Sequence, residues 1–404
     1  MEKIKSDNIF VSKITWCLLI ATSITIGACS GSSNNDIESP VEVIVVPPPQ
    51  PSVPASFFPV QDTILGTQAF TANYSFDPTT TELLEQANIV HDSGFKAFKF
   101  GLSERIFSDW KTQTGDDSFY DLPNRSNYTS LADIAEHEPS VRAVLDMDFR
   151  ITSMWVYEHG ESEQFINTAS AYEDIYQLTK DLLTRYNNSG KVFLLGHWEG
   201  DWAVIGNFDP NVEQLPATRK QNYISWINNR QAAVEAARAD TPHDNVWVGH
   251  YVELNRVSDF VDDNRERLVN GILPNVLVDA VSYSAYDAGL DNIERNLNTI
   301  ETYANTTNYL DTVFADKKIF IGEFGFAMRD HQGLQIRNAD EQRDLSMSVL
   351  TSARQWGTPL AYYWQLYNNE TTANGLETGF WLIDDQNNRQ PVFDAFIQYI
   401  EDFN

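Results

Sequence analysis

From Phe57 onward, short runs rich in β-branched and aromatic residues alternate with longer stretches whose apolar positions recur at helical spacing. Alternation of this kind is what repeated βα units produce. Eight runs predict strands: Thr63–Gln68, Ala97–Leu102, Arg142–Asp146, Val192–His197, Val246–Tyr251, Ala280–Tyr283, Ile319–Glu323 and Leu360–Gln365. Helices are predicted over Gln164–Tyr186, Thr218–Ala239, Asp291–Tyr303, Glu341–Trp356 and Val392–Asp402, with Pro391 fitting a first-turn position. Thr79 with Glu82 reads as a capping box opening the first helix, and Gly94 as that helix's stop. Eight strands with intervening helices in one domain of this length predict an α/β fold, the (β/α)8 or TIM barrel. A doubly wound sheet is disfavoured, because Gly66-Thr67-Gln68-Ala69-Phe70 after the first run lacks the Gly-rich fingerprint that cradles dinucleotide phosphates.

The residues before this domain read differently. Lys3, Lys5 and Lys13 precede an uncharged apolar run from Ile14 to Ile26, followed by Gly27, Ala28 and Cys29. A membrane-spanning helix takes about 20 apolar residues, so this shorter run fits the core of an export signal over residues 1–28. Residues 29–56 are Ser- and Pro-rich and include Pro47-Pro48-Pro49-Gln50-Pro51. Such a composition builds no core and favours extended polyproline geometry, so it reads as a tether ahead of a catalytic domain at 57–404. Ile26-Gly27-Ala28-Cys29 resembles a bacterial lipobox. The resemblance implies cleavage before Cys29, lipidation of that cysteine and attachment to the cell envelope, with Ser30 favouring the outer membrane. The plainer reading is a soluble secreted protein with a chance cysteine beside its cleavage site.

Composition narrows the chemistry. The two cysteines, Cys17 and Cys29, lie in or beside the signal, so the domain from Phe57 has no thiol for disulfides, Cys-ligated zinc or a cysteine nucleophile. The formal net charge is −29, and so acidic a chain is not expected to bind nucleic acid. An anionic substrate would need a locally basic cleft. Arg105, Arg150, Arg256 and Arg329 follow predicted strands two, three, five and seven and are candidates for such a rim, ion pairs with the abundant acids being the plainer explanation.

In a barrel, functional residues collect at the carboxyl ends of the strands. The fourth run ends in Gly196-His197-Trp198-Glu199-Gly200-Asp201-Trp202, the fifth in His250-Tyr251-Val252-Glu253, the sixth in Tyr283-Ser284-Ala285-Tyr286, the seventh in Gly322-Glu323-Phe324-Gly325 and the eighth in Tyr363-Trp364-Gln365. Hydrolysis of a glycosidic bond needs one carboxyl to protonate the leaving oxygen and another to attack the anomeric carbon or activate water. Glu199 and Glu323 stand at strand ends three strands apart and can face each other across a cleft. Asp201 and Glu253 compete with Glu199 for the acid role. Carboxyls about 5–5.5 Å apart would mean retention, and roughly 6.5–9.5 Å inversion. Trp155, Trp198, Trp202 and Trp364 sit where strand ends or their loops lie and are candidate sugar platforms, although most aromatics in such a domain are ordinary core residues. His197 and His250 are candidate sugar hydrogen-bonders or satisfied strand-end histidines. Beside Glu199 and Asp201 they are also candidate metal ligands, but no His-Glu-x-x-His helix exists.

Ile321-Gly322-Glu323-Phe324-Gly325 resembles the nucleophile strand of the large clan of retaining (β/α)8 glycoside hydrolases that includes cellulases, mannanases and agarases. Tyr362-Tyr363-Trp364 is similar to the clan's eighth strand, whose aromatic floors the sugar site, and Gly379-Phe380-Trp381-Leu382-Ile383-Asp384 to its ending before a final helix. The resemblance implies that Glu199 after strand four is the acid/base and Glu323 on strand seven the nucleophile, with Tyr283 or Tyr286 hydrogen-bonded to it. One departure stands out: the clan usually has Asn immediately before the acid/base, where this chain has Trp198, preceded by His197. No single family of the clan is assigned.

The leading expectation is therefore a retaining enzyme that needs no cofactor and cleaves a β-linked poly- or oligosaccharide, endo-acting and possessing either a neutral or an anionic substrate. A surface glycan-binding lipoprotein without chemistry is the second reading. The third is a metal-dependent barrel hydrolase using His197, Asp201 and His250.

Overall fold

The computed structural model describes residues 62–103, 128–158, 165, 168–315 and 317–403. Residues 1–28, expected to be an export signal, residues 29–56, expected to be a tether and including Cys29, and Arg105 lie outside the described residues. Eight parallel strands close a barrel in chain order: β1 (Ile64–Ala69), β2 (Ala97–Leu102), β3 (Ile151–Val156), β4 (Val192–Gly196), β5 (Trp247–Leu254), β6 (Ala280–Ser284), β7 (Ile319–Phe324) and β8 (Leu360–Tyr363). The α-helices described around it are α1 (Glu82–Asp92), α2 (Leu131–His137), α3 (Pro139–Asp146), α4 (Thr168–Arg185), α5 (Gly200–Ile205), α6 (Ala217–Asp240), α7 (Val257–Asp263), α8 (Ile293–Tyr303), α9 (Asp311–Phe314), α10 (Ala339–Trp356) and α11 (Pro391–Phe403). This is the TIM barrel that the alternation predicts.

Two local expectations are corrected. The predicted third strand, Arg142–Asp146, is the second half of α3, and β3 is the next apolar run, Ile151–Val156. Glu138 caps α3 by accepting the Val141 N–H at 2.6 Å, Pro139 occupies the first turn, and the buried Ser140, Val141, Val144 and Leu145 follow helical rather than alternating spacing. At the first helix the cap is Thr81, whose hydroxyl accepts the Leu84 N–H at 3.3 Å, while the Thr79 hydroxyl turns to Asp77. Gly94 ends the following turn at φ +88°, as predicted.

The barrel interior is polar. Lys99 on β2 and Glu253 on β5 are 3.0 Å apart although their strands are not neighbours, so they meet across the interior. Ser153 on β3 and Tyr362 on β8 do the same at 2.8 Å. The rings of Tyr251 and Tyr362 fill the space that side chains at Gly196 and Gly66 would need. Strand residues of the opposite parity, such as Phe98, Phe193, Leu195, Val248 and Val281, are fully buried, each contributing roughly 1.5–3 kcal/mol. From α6, Arg230 pairs with Glu158 at 2.8 Å and donates to the carbonyls of Val156 at 3.0 Å and Gly196 at 3.1 Å. It thereby ties together the ends of β3 and β4, the strand that leads to Glu199.

Candidate active site

Glu199 lies three residues beyond Gly196, the end of β4, and Lys99, Glu253, Ser284 and Glu323 come from β2, β5, β6 and β7. An irregularity in β7 aims Glu323. Tyr283 pairs with Ile321, and the next residue, Ser284, pairs with Glu323, so β7 carries an extra residue. A Cβ at Gly322 would collide with Ser282 Oγ and Glu253 Oε2, so position 322 faces the interior. Strict alternation would then send Glu323 outward, and the bulge returns it to the inner side.

Ser284 Oγ donates to Glu199 Oε1 at 2.7 Å and lies 3.5 Å from Glu323 Oε2. The nearest oxygens of the two carboxyls are thus no farther apart than those two contacts laid end to end. Glu199 Oε2 accepts from Asn255 Nδ2 at 3.1 Å. Lys99 Nζ donates to Glu323 Oε1 at 3.1 Å, Glu253 Oε2 at 3.0 Å and the Gly322 carbonyl at 3.1 Å, and the Trp155 ring covers it with its centroid 4.4 Å away. Glu253 also accepts from Ser282 Oγ at 2.7 Å and from the Glu199 backbone N–H at 3.2 Å.

Burial and then the charge of Glu323 push the Glu199 carboxyl well above the usual carboxylate range, against the donor Ser284. Burial raises Glu323 as well, but the Lys99 ammonium opposes that rise most strongly. Two buried carboxyls so close do not ionise together, and the one without an ammonium contact is the better proton carrier.

The structure places the remaining candidates as follows. Trp364 is half-buried, its indole N–H 3.2 Å from Glu370 Oε1 and its ring 6.2 Å from that of Trp155. The Tyr286 hydroxyl is buried without a hydrogen-bond partner, and burial followed by Glu323 and Glu199 raises it well above the usual phenol range. The Tyr283 hydroxyl instead donates to Asp287 and accepts from Asn296 Nδ2 at 2.7 Å, so Tyr286 is the tyrosine near the carboxyls. Trp202 is buried, with its ring 5.8 Å from Phe208 and the Arg256 guanidinium 5.0 Å from its centroid. Trp198 is half-buried, and its backbone N–H donates to the Tyr157 hydroxyl at 2.9 Å.

His197 and His250 do not line the cleft. His197 Nε2 lies 2.7 Å from the Tyr223 hydroxyl, and His250 Nδ1 lies 3.3 Å from Gln231 Oε1, both partners being on α6. Alternation explains this: with Gly196 and Tyr251 facing inward, their chain neighbours face the helices. Asp201 accepts three backbone N–H groups, from Asn255 at 2.9 Å, Arg256 at 3.2 Å and Leu268 at 2.7 Å, and so anchors chain rather than facing Glu323. His197, Asp201 and His250 therefore do not converge, and among the described residues no group of three or more His, Cys, Asp or Glu forms a metal-binding set. Glu253 is committed to Lys99 and to the Glu199 peptide. Of the expected basic rim, Arg256 pairs with Asp259 at 2.7 Å and Arg329 donates to the Glu377 carbonyl at 2.9 Å. Arg150 precedes β3 instead of following it, which puts it at the opposite end of the barrel. A shallow groove beside Asp291, Glu294, Arg295 and Asn298 holds none of these residues.

Sequence reasoning passed over Lys99, Asn255, Ser284 and Glu370. Lys99 left a trace: a lysine within the apolar run Ala97–Leu102 must find a buried partner if the strand is central. Asn255 lies beyond the predicted strand end, and nothing in its surroundings distinguishes it.

No protein-family model matches the chain, and no curated protein matches it in sequence. Solved structures match it in fold. An exo-β-1,4-mannosidase from Opitutaceae bacterium strain TAV5 aligns at 12% identity and a TM-score of 0.51, over 86% of this chain and 59% of its own. A broad-specificity endoglucanase from Clostridum cellulovorans aligns at 13% identity and a TM-score of 0.47, over 85% of this chain and 95% of its own. A β-glucuronidase from Faecalibacterium prausnitzii aligns at 12% identity and 0.44, over 86% and 49%. At such identities the likeness is one of fold, and the chain spans 59% of the mannosidase's length.

Proposed function

We propose that this chain is a retaining glycoside hydrolase acting on a β-linked poly- or oligosaccharide, with Glu199 as general acid/base and Glu323 as nucleophile. The observation that carries the reading is the shared contact at Ser284 Oγ, 2.7 Å from Glu199 and 3.5 Å from Glu323. Two carboxyls bridged through one hydroxyl fit the closer pair of a retaining enzyme, about 5–5.5 Å apart, better than the wider pair that leaves room for a water. In the first step the Glu199 proton passes to the leaving oxygen while a Glu323 oxygen bonds to the anomeric carbon and the glycosidic bond breaks. In the second, the Glu199 carboxylate takes a proton from water, whose oxygen displaces Glu323 and releases the sugar with its configuration retained. The unpartnered Tyr286 hydroxyl suits a donor to the nucleophile, and Trp364 a floor for the pyranose ring. The barrel shared with the mannosidase agrees with a carbohydrate substrate. Endo attack, and attachment to the outer membrane through lipid on Cys29 with residues 29–56 as spacer, belong to the same proposal; a tethered enzyme suits a bulky polymer.

The test is hydrolysis of a panel of neutral and anionic β-glycans by the wild-type chain, Glu199→Gln and Glu323→Gln, with mass spectrometry after exposure to 2-deoxy-2-fluoro glycosyl fluorides. Sugar release by the wild type alone, with a glycosyl adduct on Glu323, supports the reading. Glycan binding without cleavage by any form overturns it and favours the binding lipoprotein. Loss of lipid labelling in Cys29→Ser tests the anchor.

A further inference from the structure

Glu370, on the segment after β8, is a carboxyl that the two-step hydrolysis does not use. We propose that Glu370 is a specificity-determining residue of the cleft: its carboxylate, held at the edge of the Trp364 ring, takes hydroxyl donors from the pyranose stacked on that ring and turns away a sugar that carries a carboxylate or sulfate there. The inference rests on the glycosidase reading and names its substrate class, a neutral rather than an anionic β-glycan.

Trp364 places Glu370 in the cleft. Its indole N–H donates to Glu370 Oε1 at 3.2 Å, and its ring lies 6.2 Å from that of Trp155, which covers the Lys99 ammonium bonded to Glu323. The main chain fixes the root of the side chain. The Glu370 carbonyl accepts from the Thr378 N–H at 3.0 Å, Thr378 Oγ1 at 3.2 Å and Asn368 Nδ2 at 2.5 Å, beside a bridge between Thr371 and Glu377. The carboxyl itself is under-supplied. Among the described residues Oε2 has no hydrogen-bond partner, and no Lys or Arg pairs with either oxygen. A half-buried carboxyl with one neutral donor calls for more donors, and sugar hydroxyls supply them. Asn369 Oδ1, one residue earlier, is a buried acceptor without a partner as well. A uronate or sulfate group in the same place would bring acceptors only. Charge around the reacting centre favours the same substrates. Glu199, Glu253, Glu323 and Glu370 surround it against the ammonium of Lys99, whose three donors are already taken. Arg256 is paired with Asp259 at 2.7 Å, and Arg329 donates to the Glu377 carbonyl at 2.9 Å. Burial raises the Glu370 carboxyl to about 7, opposed by the Trp364 N–H, so above that pH it is ionised.

The experiment compares kcat/KM at pH 8 for aryl β-hexosides and their 6-carboxylate counterparts in the gluco, galacto and manno series, using the wild type, Glu370→Gln and Glu370→Ala. Calorimetry measures binding of the matching neutral and uronate disaccharides. Glu370→Gln keeps the shape and an acceptor for the Trp364 N–H and removes only the charge. Like charges brought together cost enough that the wild type should prefer the neutral member by about 100-fold or more, and Glu370→Gln should shrink that preference by about tenfold or more. Glu370→Ala should shrink it too and should raise KM for the neutral member by about 10–100-fold, the worth of hydrogen bonds to a charged group. It also keeps the test available if Glu370→Gln does not fold. An unchanged preference in the folded variants, or a wild type that prefers the uronoside, overturns the proposal. If the wild type cleaves no glycoside, the calorimetric preference decides: shrinkage in Glu370→Gln keeps the role of Glu370 and it is the glycosidase reading that fails, whereas an unchanged preference or no binding overturns the proposal.

Discussion

Glu253 Oε1 accepts the backbone N–H of Glu199 at 3.2 Å, so a carboxylate from β5 holds the peptide that follows β4. Its other oxygen takes Lys99 at 3.0 Å and Ser282 at 2.7 Å, all of them buried. Removing one partner of a buried ion pair leaves the other charge uncompensated and costs about 3–5 kcal/mol. Glu253→Ala should lose stability on that scale in urea unfolding. Glu253→Gln keeps an acceptor for the Glu199 N–H and should lose less. Equal losses would mean that the hydrogen bond to Glu199 contributes nothing.

The two glutamates should respond differently to the leaving group. General acid catalysis is worth about 10²–10⁴-fold and matters most when the departing oxygen is basic. Glu199→Ala should lose about that factor on glycans but little in the first step on a dinitrophenyl glycoside, and azide should then yield a glycosyl azide of retained configuration. Glu323→Ala should lose turnover on both substrates, and azide should yield the opposite anomer. Product NMR reads the configuration, and a swapped outcome would exchange the roles of the two residues.

Much of this was legible in the chain because it depends on periodicity. Strand β2 falls where its apolar run predicts, and α10 and α11 begin within two residues of the predicted starts, since each has a clear apolar face and a start signal. The third strand was misplaced because Arg142–Asp146 and Ile151–Val156 are both short apolar runs, and only the cap at Glu138 separates helix from strand. Glu199 and Glu323 stand out in the chain as acids at strand ends, and the structure brings both to Ser284. Of the readings open for His197 and His250, the structure shows satisfied strand-end histidines; the sequence leaves them open because a strand end shows where a residue lies along the barrel, not which side of the wall it faces. For Glu323 the facing depends on a bulge, which no local pattern in Ile321-Gly322-Glu323 announces.

Glu199 should weaken the fold as the pH rises. Burial and Glu323 raise its carboxyl in the folded protein, while in the unfolded chain it titrates near about 4.3. Above that pH the folded state binds more protons than the unfolded one, so stability is full below about 4.3 and is lost as pH climbs toward the folded value. Glu199→Gln lacks this loss and can still bond to Ser284 and Asn255. It should be as stable as the wild type near pH 4 and more stable near pH 7, by about 1 kcal/mol or more. Thermal unfolding at the two pH values reads the difference, and a variant equally stable or less stable at pH 7 would mean that the carboxyl is not held protonated.

His197 and His250 carry the opposite sign and a separate prediction. Both are buried against α6, and burial pushes His197 down to about 3 and His250 well below the ordinary imidazole range. Unfolded histidine titrates near about 6.5, so below that pH the unfolded chain binds protons that the folded one refuses. The stability present above about 6.5 is therefore lost as pH falls toward the folded values, at up to about 1.4 kcal/mol per pH unit for each histidine. His197→Gln and His250→Gln should each flatten the dependence of urea-unfolding stability on pH between about 6 and 4.5. Neither should change KM for a cleaved glycan, because neither ring reaches the carboxyls. A raised KM with an unchanged stability slope would instead put these histidines in the cleft, and with it the outward facing of the residues beside Gly196 and Tyr251 would be wrong.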